Sequence, residues 1–201
     1  MLIAIIDYGM GNLRSVERAV LSQGYEAVIT DRPEAVVSAD KVILPGVGAF
    51  PDAMDNIENM GLGEAIRDTV KRDKPLLAVC LGMQLLFEKS FEIEERKGLG
   101  ILHGEIRRLP GQVKIPHMGW NSLDMVSRCR LLDDVADGSY MYFVHSYYAA
   151  GIEDQILCAT CDYRVKVPAV VSKGRVFGVQ FHPEKSGDAG LGIYKSFGEM
   201  I

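Results

Sequence analysis

The first half of the chain alternates short apolar runs with amphipathic segments. "LIAIID", residues 2 to 7, is apolar up to its closing Asp7, as a strand buried on both faces requires. The next segment, "GNLRSVERAVLSQG", places Leu13, Val16 and Val20 on one helical face and supplies Gly24 as a stop. The alternation continues: "YEAVIT" predicts a strand, "PEAVVSA" a short helix, "KVILP" a strand, residues 51 to 72 a helical stretch and "PLLAVC" a further strand. This order predicts an α/β fold, an open and mostly parallel sheet with helices on both faces. Such sheets bind ligands beyond the carboxyl ends of their strands, where Asp7, Pro45 and Cys80 lie.

The pattern changes after "EKSFEIEERKG", residues 88 to 98, which reads as a solvated connection. From residue 99 the runs "LGILHGEIRRL", "HMGWNSLDMV", "YMYFVHSYYAA", "ILCATCDY" and "PAVVSKGRVFGVQF" predict an additional antiparallel strand region, with "SKGR" as a hairpin turn. "GLGIYKSFGEMI" predicts a terminal helix. There is no internal repeat, low-complexity tract or Pro/Ser-rich linker, so residues 1 to 201 are read as a single domain.

Composition narrows the setting. With 201 residues and 48% hydrophobic content, the chain has ample material for a core. Its net charge of −5 argues against nucleic acid as a partner, which needs a basic face to neutralise phosphates. No apolar segment approaches the roughly 18 residues of a membrane span, and the N-terminal run lacks the basic flank of a secretory signal. Four cysteines in a chain too long to need disulfide staples suggest a reducing, cytoplasmic home.

Candidate chemistry centres on Cys80, flanked as Ala78-Val79-Cys80-Leu81-Gly82 between a predicted strand and a predicted helix. A nucleophile at such a bend needs small residues two positions before and after it, because larger side chains would collide. Ala78 and Gly82 meet that need. The proton carrier is read as His182 in "GVQFHPEKS": Pro183 enforces an extended exit, so Glu184 at i+2 can hold one ring nitrogen while the other faces the sulfur. "LPGVGAF" follows another strand of the sheet, and its glycines free the backbone so that the N–H groups of Val47 and Leu81 can form an oxyanion hole. Gln84 stands one helical turn after Cys80 on the same face, within reach of a ligand beside the sulfur. The lone C-x-x-C, Cys158 and Cys161, would face opposite sides of a strand and has no further ligands nearby, which argues against a metal. "GMGN" falls short of G-x-G-x-x-G, so no dinucleotide cofactor is expected.

"IDYGMGN", "PGVGAFPDAM", "CLGMQLLF", "PHMGWN", "YFVHSY" and "FHPEKSG" span the whole chain. On these motifs it resembles the class I, triad-type glutamine amidotransferases, and within them the glutaminase subunits of imidazole glycerol phosphate synthase. "PGVGAF" and "HMGWN" carry the second likeness; Ala78 departs from the glycine of many relatives. The resemblance implies hydrolysis of L-glutamine to glutamate and ammonia through a thioester on Cys80, with His182 and Glu184 completing the triad and no cofactor. It also implies glutamine contacts at Gly48, Gln84, Ser146 and Tyr147. The partner it implies is a (β/α)8-barrel cyclase subunit, bound as a heterodimer through a face including Asn12, Trp120, Tyr142 and Lys185. The products would be imidazole glycerol phosphate and aminoimidazole carboxamide ribotide, in histidine biosynthesis. A class I glutaminase serving a different ammonia-using synthase is the alternative.

Overall fold

The structure, a computed structural model, describes residues 1 to 200. In the first half, β1 (Leu2–Ile6), α1 (Leu13–Ser22), β2 (Glu26–Thr30), α2 (Pro33–Ser38), β3 (Lys41–Leu44), α3 (Phe50–Asn59), α4 (Leu62–Lys71), β4 (Leu76–Val79) and α5 (Leu81–Leu85) follow the predicted alternation. The second half carries β5 (Lys89–Ser90), β6 (Arg96–Lys97), β7 (Glu105–Arg108), β8 (His117–Ser122), β9 (Asp124–Met125), β10 (Tyr140–His145) and β11 (Tyr147–Ala150). These are followed by β12 (Leu157–Asp162), β13 (Lys166–Lys173), β14 (Val176–Val179) and α6 (Gly187–Glu199).

The main sheet has eight strands in the order β2-β1-β3-β4-β14-β13-β12-β9. From β2 to β14 every pairing is parallel, and from β14 to β9 every pairing is antiparallel. A four-stranded sheet (β11-β7-β5-β6), antiparallel except for the parallel β5-β7 pair, and the antiparallel β8-β10 pair complete the second half. Within the uniform apolar runs the side chains still alternate. Ile3, Ile5, Ile43, Leu77 and Val79 enter one core cluster with Val16 of α1 and Phe197 of α6. Ile6, Val42, Leu44, Leu76 and Ala78 enter the other, with Val36, Ile57 and Ile66 of α2, α3 and α4. Both faces of the sheet are therefore covered, which is why these strands need no polar positions.

The structure departs from the sequence pattern in three places. The helical stretch 51 to 72 is two helices, because Gly61 adopts a left-handed conformation (φ 68°) that ends α3 and starts α4. "EKSFEIEERKG" is not a plain solvated connection. It forms β5 and β6, Arg96 bridges to Asp55 and Glu58 of α3, and the Glu92 carboxylate accepts the Phe50 N–H at 2.8 Å. Finally, Cys158 and Cys161 are buried in the same core cluster, because register shifts between Leu157 and Thr160 break the simple alternation of β12.

Four parallel strands deliver the candidate chemistry to one edge: β1 runs into Tyr8, β3 into the 45 to 48 loop, β4 into Cys80 and β14 into Gln180 and His182.

Candidate active site

Cys80 follows β4 directly, with φ 55° and ψ −111°, a conformation that costs about 1–3 kcal/mol outside glycine. Backbone bonds hold it there: Cys80 N–H donates to the Val179 carbonyl at 2.7 Å, and the Cys80 carbonyl accepts from Gln84 N–H at 3.2 Å. A Cβ on Gly82 would collide with the Leu44 carbonyl, so α5 can leave the strand at this angle only with glycine there. Ala78 is fully buried between Leu44 and Gly178 and is compatible with the bend.

His182 and Glu184 stand together as the sequence suggests. Nδ1 lies 2.9 Å from Glu184 Oε1, and both side chains are almost wholly buried, 3% and 2% exposed. The local path differs from a simple extended exit: Pro183–Lys185 is a 3-10 turn, and the contact survives because His182 itself stays extended (φ −102°, ψ 97°). The other carboxylate oxygen is approached by the Tyr194 hydroxyl at 3.5 Å. His182 Nε2 is buried without a hydrogen bond and faces the Cys80 sulfur. Burial opposes charge on the imidazole, but Cys80 and Glu184 outweigh it and raise the pKa to about 10. Both neighbours thus favour the protonated ring, the form that can give a proton to a leaving group.

Cys80, Leu81, Gln84, Val47, Gly48, Ser146, Tyr147 and His182 line one cleft of about 410 Å³, and Glu184 stands behind His182. Leu81 opens α5, so its N–H has no partner within the helix. Gly46 and Gly48 differ in kind. A Cβ on Gly46 would strike the Tyr8 hydroxyl, whereas Gly48 holds φ 110°. Gly46 makes room for the Tyr8 hydroxyl, and Gly48 takes a conformation that other residues adopt only with strain. Gln84 lines the cleft, but its Nε2 already donates to the Tyr147 carbonyl and to Gln180 Oε1, both at 3.0 Å. Trp120 and Tyr142 pack edge to face at 6.0 Å, Lys185 Nζ lies 6.0 Å from the Tyr142 ring, and the Tyr142 carbonyl accepts His182 N–H at 2.9 Å. Asn12 is exposed just before α1.

Sequence reasoning missed five residues. Tyr8 donates its hydroxyl to the Pro45 carbonyl at 2.9 Å; burial and the nearby Cys80 sulfur raise its pKa. Glu92 lines the cleft, and burial raises its pKa, partly offset by the Phe50 N–H. Gln180, His117 and His145 form a buried polar group beside Gln84. Gln180 alone had a visible signal, standing two positions before His182.

Burial lowers the pKa of His117 to about 4 and that of His145 to about 3, from an ordinary 6.5, so both rings are neutral. The unfolded chain binds protons on them that the fold excludes. Stability is therefore expected to fall as pH drops from about 6.5 toward 4, by on the order of 2 kcal/mol for His117. Urea unfolding of wild type and His117→Asn across that range checks this. The variant should show the shallower pH dependence, and equal slopes would remove His117 as the cause.

The family model described as "Glutamine amidotransferase class-I" matches residues 4–197. The imidazole glycerol phosphate synthase subunit HisH of Bacillus cytotoxicus is 53% identical over 200 residues, covering 100% of this chain and 95% of its own. The protein of the same name from Caldanaerobacter subterraneus subsp. tengcongensis is 51% identical, covering 100% of this chain and 98% of its own. Among solved structures, PurLQS from Thermotoga maritima superposes with a TM-score of 0.76 over 98% of this chain and 96% of that one, at 20% identity. A matching family model over nearly the whole length, full-length relatives above half identity and a mixed sheet of the same architecture lead to one conclusion: the chain belongs to the class I glutamine amidotransferase family.

Proposed function

We propose that this chain is one amidotransferase domain that hydrolyses L-glutamine to glutamate and ammonia and hands the ammonia to a cyclase subunit of imidazole glycerol phosphate synthase. The observation that carries the reading is the elbow thiol of Cys80 facing His182 Nε2, with Nδ1 held by Glu184, at the floor of a cleft sized for an amino acid. The Cys80 thiolate attacks the side-chain carboxamide carbon, and the N–H groups of Leu81 and Val47 receive the oxyanion. His182 gives its proton to the departing ammonia, leaving a glutamyl thioester. The same ring then deprotonates the water that cleaves the thioester, and Glu184 stabilises the imidazolium that forms again.

The rest of the cleft suits glutamine. The Glu92 carboxylate supports the α-ammonium, since a half-buried carboxylate gains most from a cation beside it. Gly48, Ser146 and Tyr147 offer backbone groups. The carbonyl oxygen of Gln84 remains for the ligand because its N–H groups are engaged. The partner is read as a (β/α)8-barrel cyclase docking on the exposed aromatics. Trp120 is 56% exposed, Tyr140 62% and Met118 62%, beside Tyr142 and Lys185, a composition suited to an interface. Asn12 is placed on the same face by resemblance alone. The relatives named as subunits of that synthase support this partner over another synthase. No helix among the described residues is long and apolar enough to cross a membrane, and a cytoplasmic home suits four free thiols.

Two measurements test the reading. Ammonia release from glutamine, assayed with and without the cyclase and its nucleotide ligand, should be present and coupled to cyclisation; no release under either condition would overturn it. A glutamine-like alkylating agent is expected to label Cys80 and spare the others. Burial raises Cys161 to about 12; Cys129 and burial push Cys158 up as well. Cys129 is buried outside the glutamine cleft. Peptide mapping that found label spread over all four would remove Cys80 from its role.

A further inference from the structure

Gln180 is fully buried and has no part in the triad, yet its Nε2 lies 3.8 Å from the Cys80 sulfur. Which end of this amide meets the sulfur follows from chemistry. The Tyr147 carbonyl can only accept, so the Gln84 atom 3.0 Å from it must be Nε2. That same nitrogen lies 3.0 Å from the Gln180 amide, which must therefore present its oxygen there and its NH2 to Cys80. The Tyr147 carbonyl also accepts from His145 Nδ1 at 2.9 Å, which leaves His145 Nε2 as an acceptor. His117 Nδ1–H then donates to it at 2.9 Å, and His117 Nε2 accepts from Asn121 Nδ2 at 3.4 Å. One carbonyl thus fixes the direction of every donor from β8 to the nucleophile.

We infer that Gln180 is a further residue of the nucleophile site, an N–H donor that favours the Cys80 thiolate, and that Gln84 and the His145–His117 pair are positioning residues that lock its orientation. A neutral amide does this without competing for the proton that His182 must carry, and a buried donor next to sulfur acts in a weakly screening medium. The ionisable groups facing the sulfur are His182, held by Glu184, and Tyr8. Neither duplicates the amide, since the first cycles its proton and the Tyr8 hydroxyl is committed to the Pro45 carbonyl.

This rests on Cys80 being the nucleophile, and the test separates the two claims. The rate of Cys80 alkylation by iodoacetamide is followed by peptide mapping from pH 5 to 10 in the full chain, for wild type, Gln180→Leu and Gln180→Glu. Leucine keeps the volume and removes the donor; glutamate keeps the shape and sets a carboxylate against the sulfur. The leucine variant should react about tenfold more slowly than wild type at the pH where the two differ most, and the glutamate variant should be slower still. A purely packing role would not rank the two variants this way, because glutamate disturbs the shape least. A leucine variant as fast as wild type, or a glutamate variant as fast as wild type, would overturn the inference. If leucine does not fold, as judged by its thermal transition, the near-isosteric glutamate variant decides alone. Cys80 in wild type reacting no faster than the buried thiols would instead remove the nucleophile reading itself.

Discussion

Alanine at Cys80 or His182 is expected to reduce glutamine-dependent turnover about a thousandfold or more, whereas Glu184→Gln should retain a larger residue. On the proposed mechanism, the two alanine variants delete, respectively, the atom that would form the thioester and the group that would move every proton. Glu184 only orients the ring and stabilises its charge; glutamine can still accept from Nδ1–H through its carbonyl oxygen, but without the carboxylate charge that helps hold His182 near a pKa of 10. All three variants, mixed with the cyclase, should still cyclise when ammonium salt at high pH replaces glutamine. The paired assays check the assignment. Full glutamine-dependent activity in either alanine variant would overturn it, and loss of the ammonia-dependent reaction would show damage to the fold or the docking face instead.

The second large effect concerns the partner. On the proposed function, ammonia released without an acceptor would be protonated in water and wasted, so a site left incomplete until the cyclase docks would be favoured. The Val47 peptide is the candidate moving part. Its N–H lies in the peptide that joins Gly46 to Val47, so reorienting it turns ψ of Gly46 and φ of Val47; Gly46 carries no Cβ to oppose the turn, and Val47 is 40% exposed. A missing oxyanion donor costs about 3 kcal/mol, or roughly a hundredfold in rate. Adding the cyclase with its nucleotide should raise kcat by at least about that factor with little change in KM. Steady-state kinetics of the isolated chain and of the complex measure this, and an isolated chain already turning over at the complexed rate would refute gating while leaving the triad intact.

What the sequence made legible was local. The Cys80 elbow is announced by Ala78 and Gly82, and the His182–Glu184 pair by an i+2 spacing around a proline. The parallel half of the sheet was readable because double-sided burial writes itself as uninterrupted apolar runs. The break at Gly61 was hidden because apolar positions continue across it, and the charges of residues 88 to 98 looked solvated because Asp55 and Glu58 meet Arg96 only in three dimensions. The polar chain through positions 84, 117, 145, 147 and 180 was invisible for the same reason. No short-range pattern links five residues brought together by three different sheets and a helix.

The left-handed seat of Cys80 sets selection for turnover against selection for a durable fold. At most buried positions glycine is worse than alanine by about 0.5–1 kcal/mol, because it has more freedom to lose. At φ 55° and ψ −111° the order should invert, since any Cβ is strained there and glycine is not. Cys80→Gly is expected to unfold about 1 kcal/mol later in urea than Cys80→Ala, although both are inert; the opposite order would mean that the bend carries no strain. A chain released from the need to attack glutamine would then drift toward glycine at position 80, trading a dead site for a more stable fold.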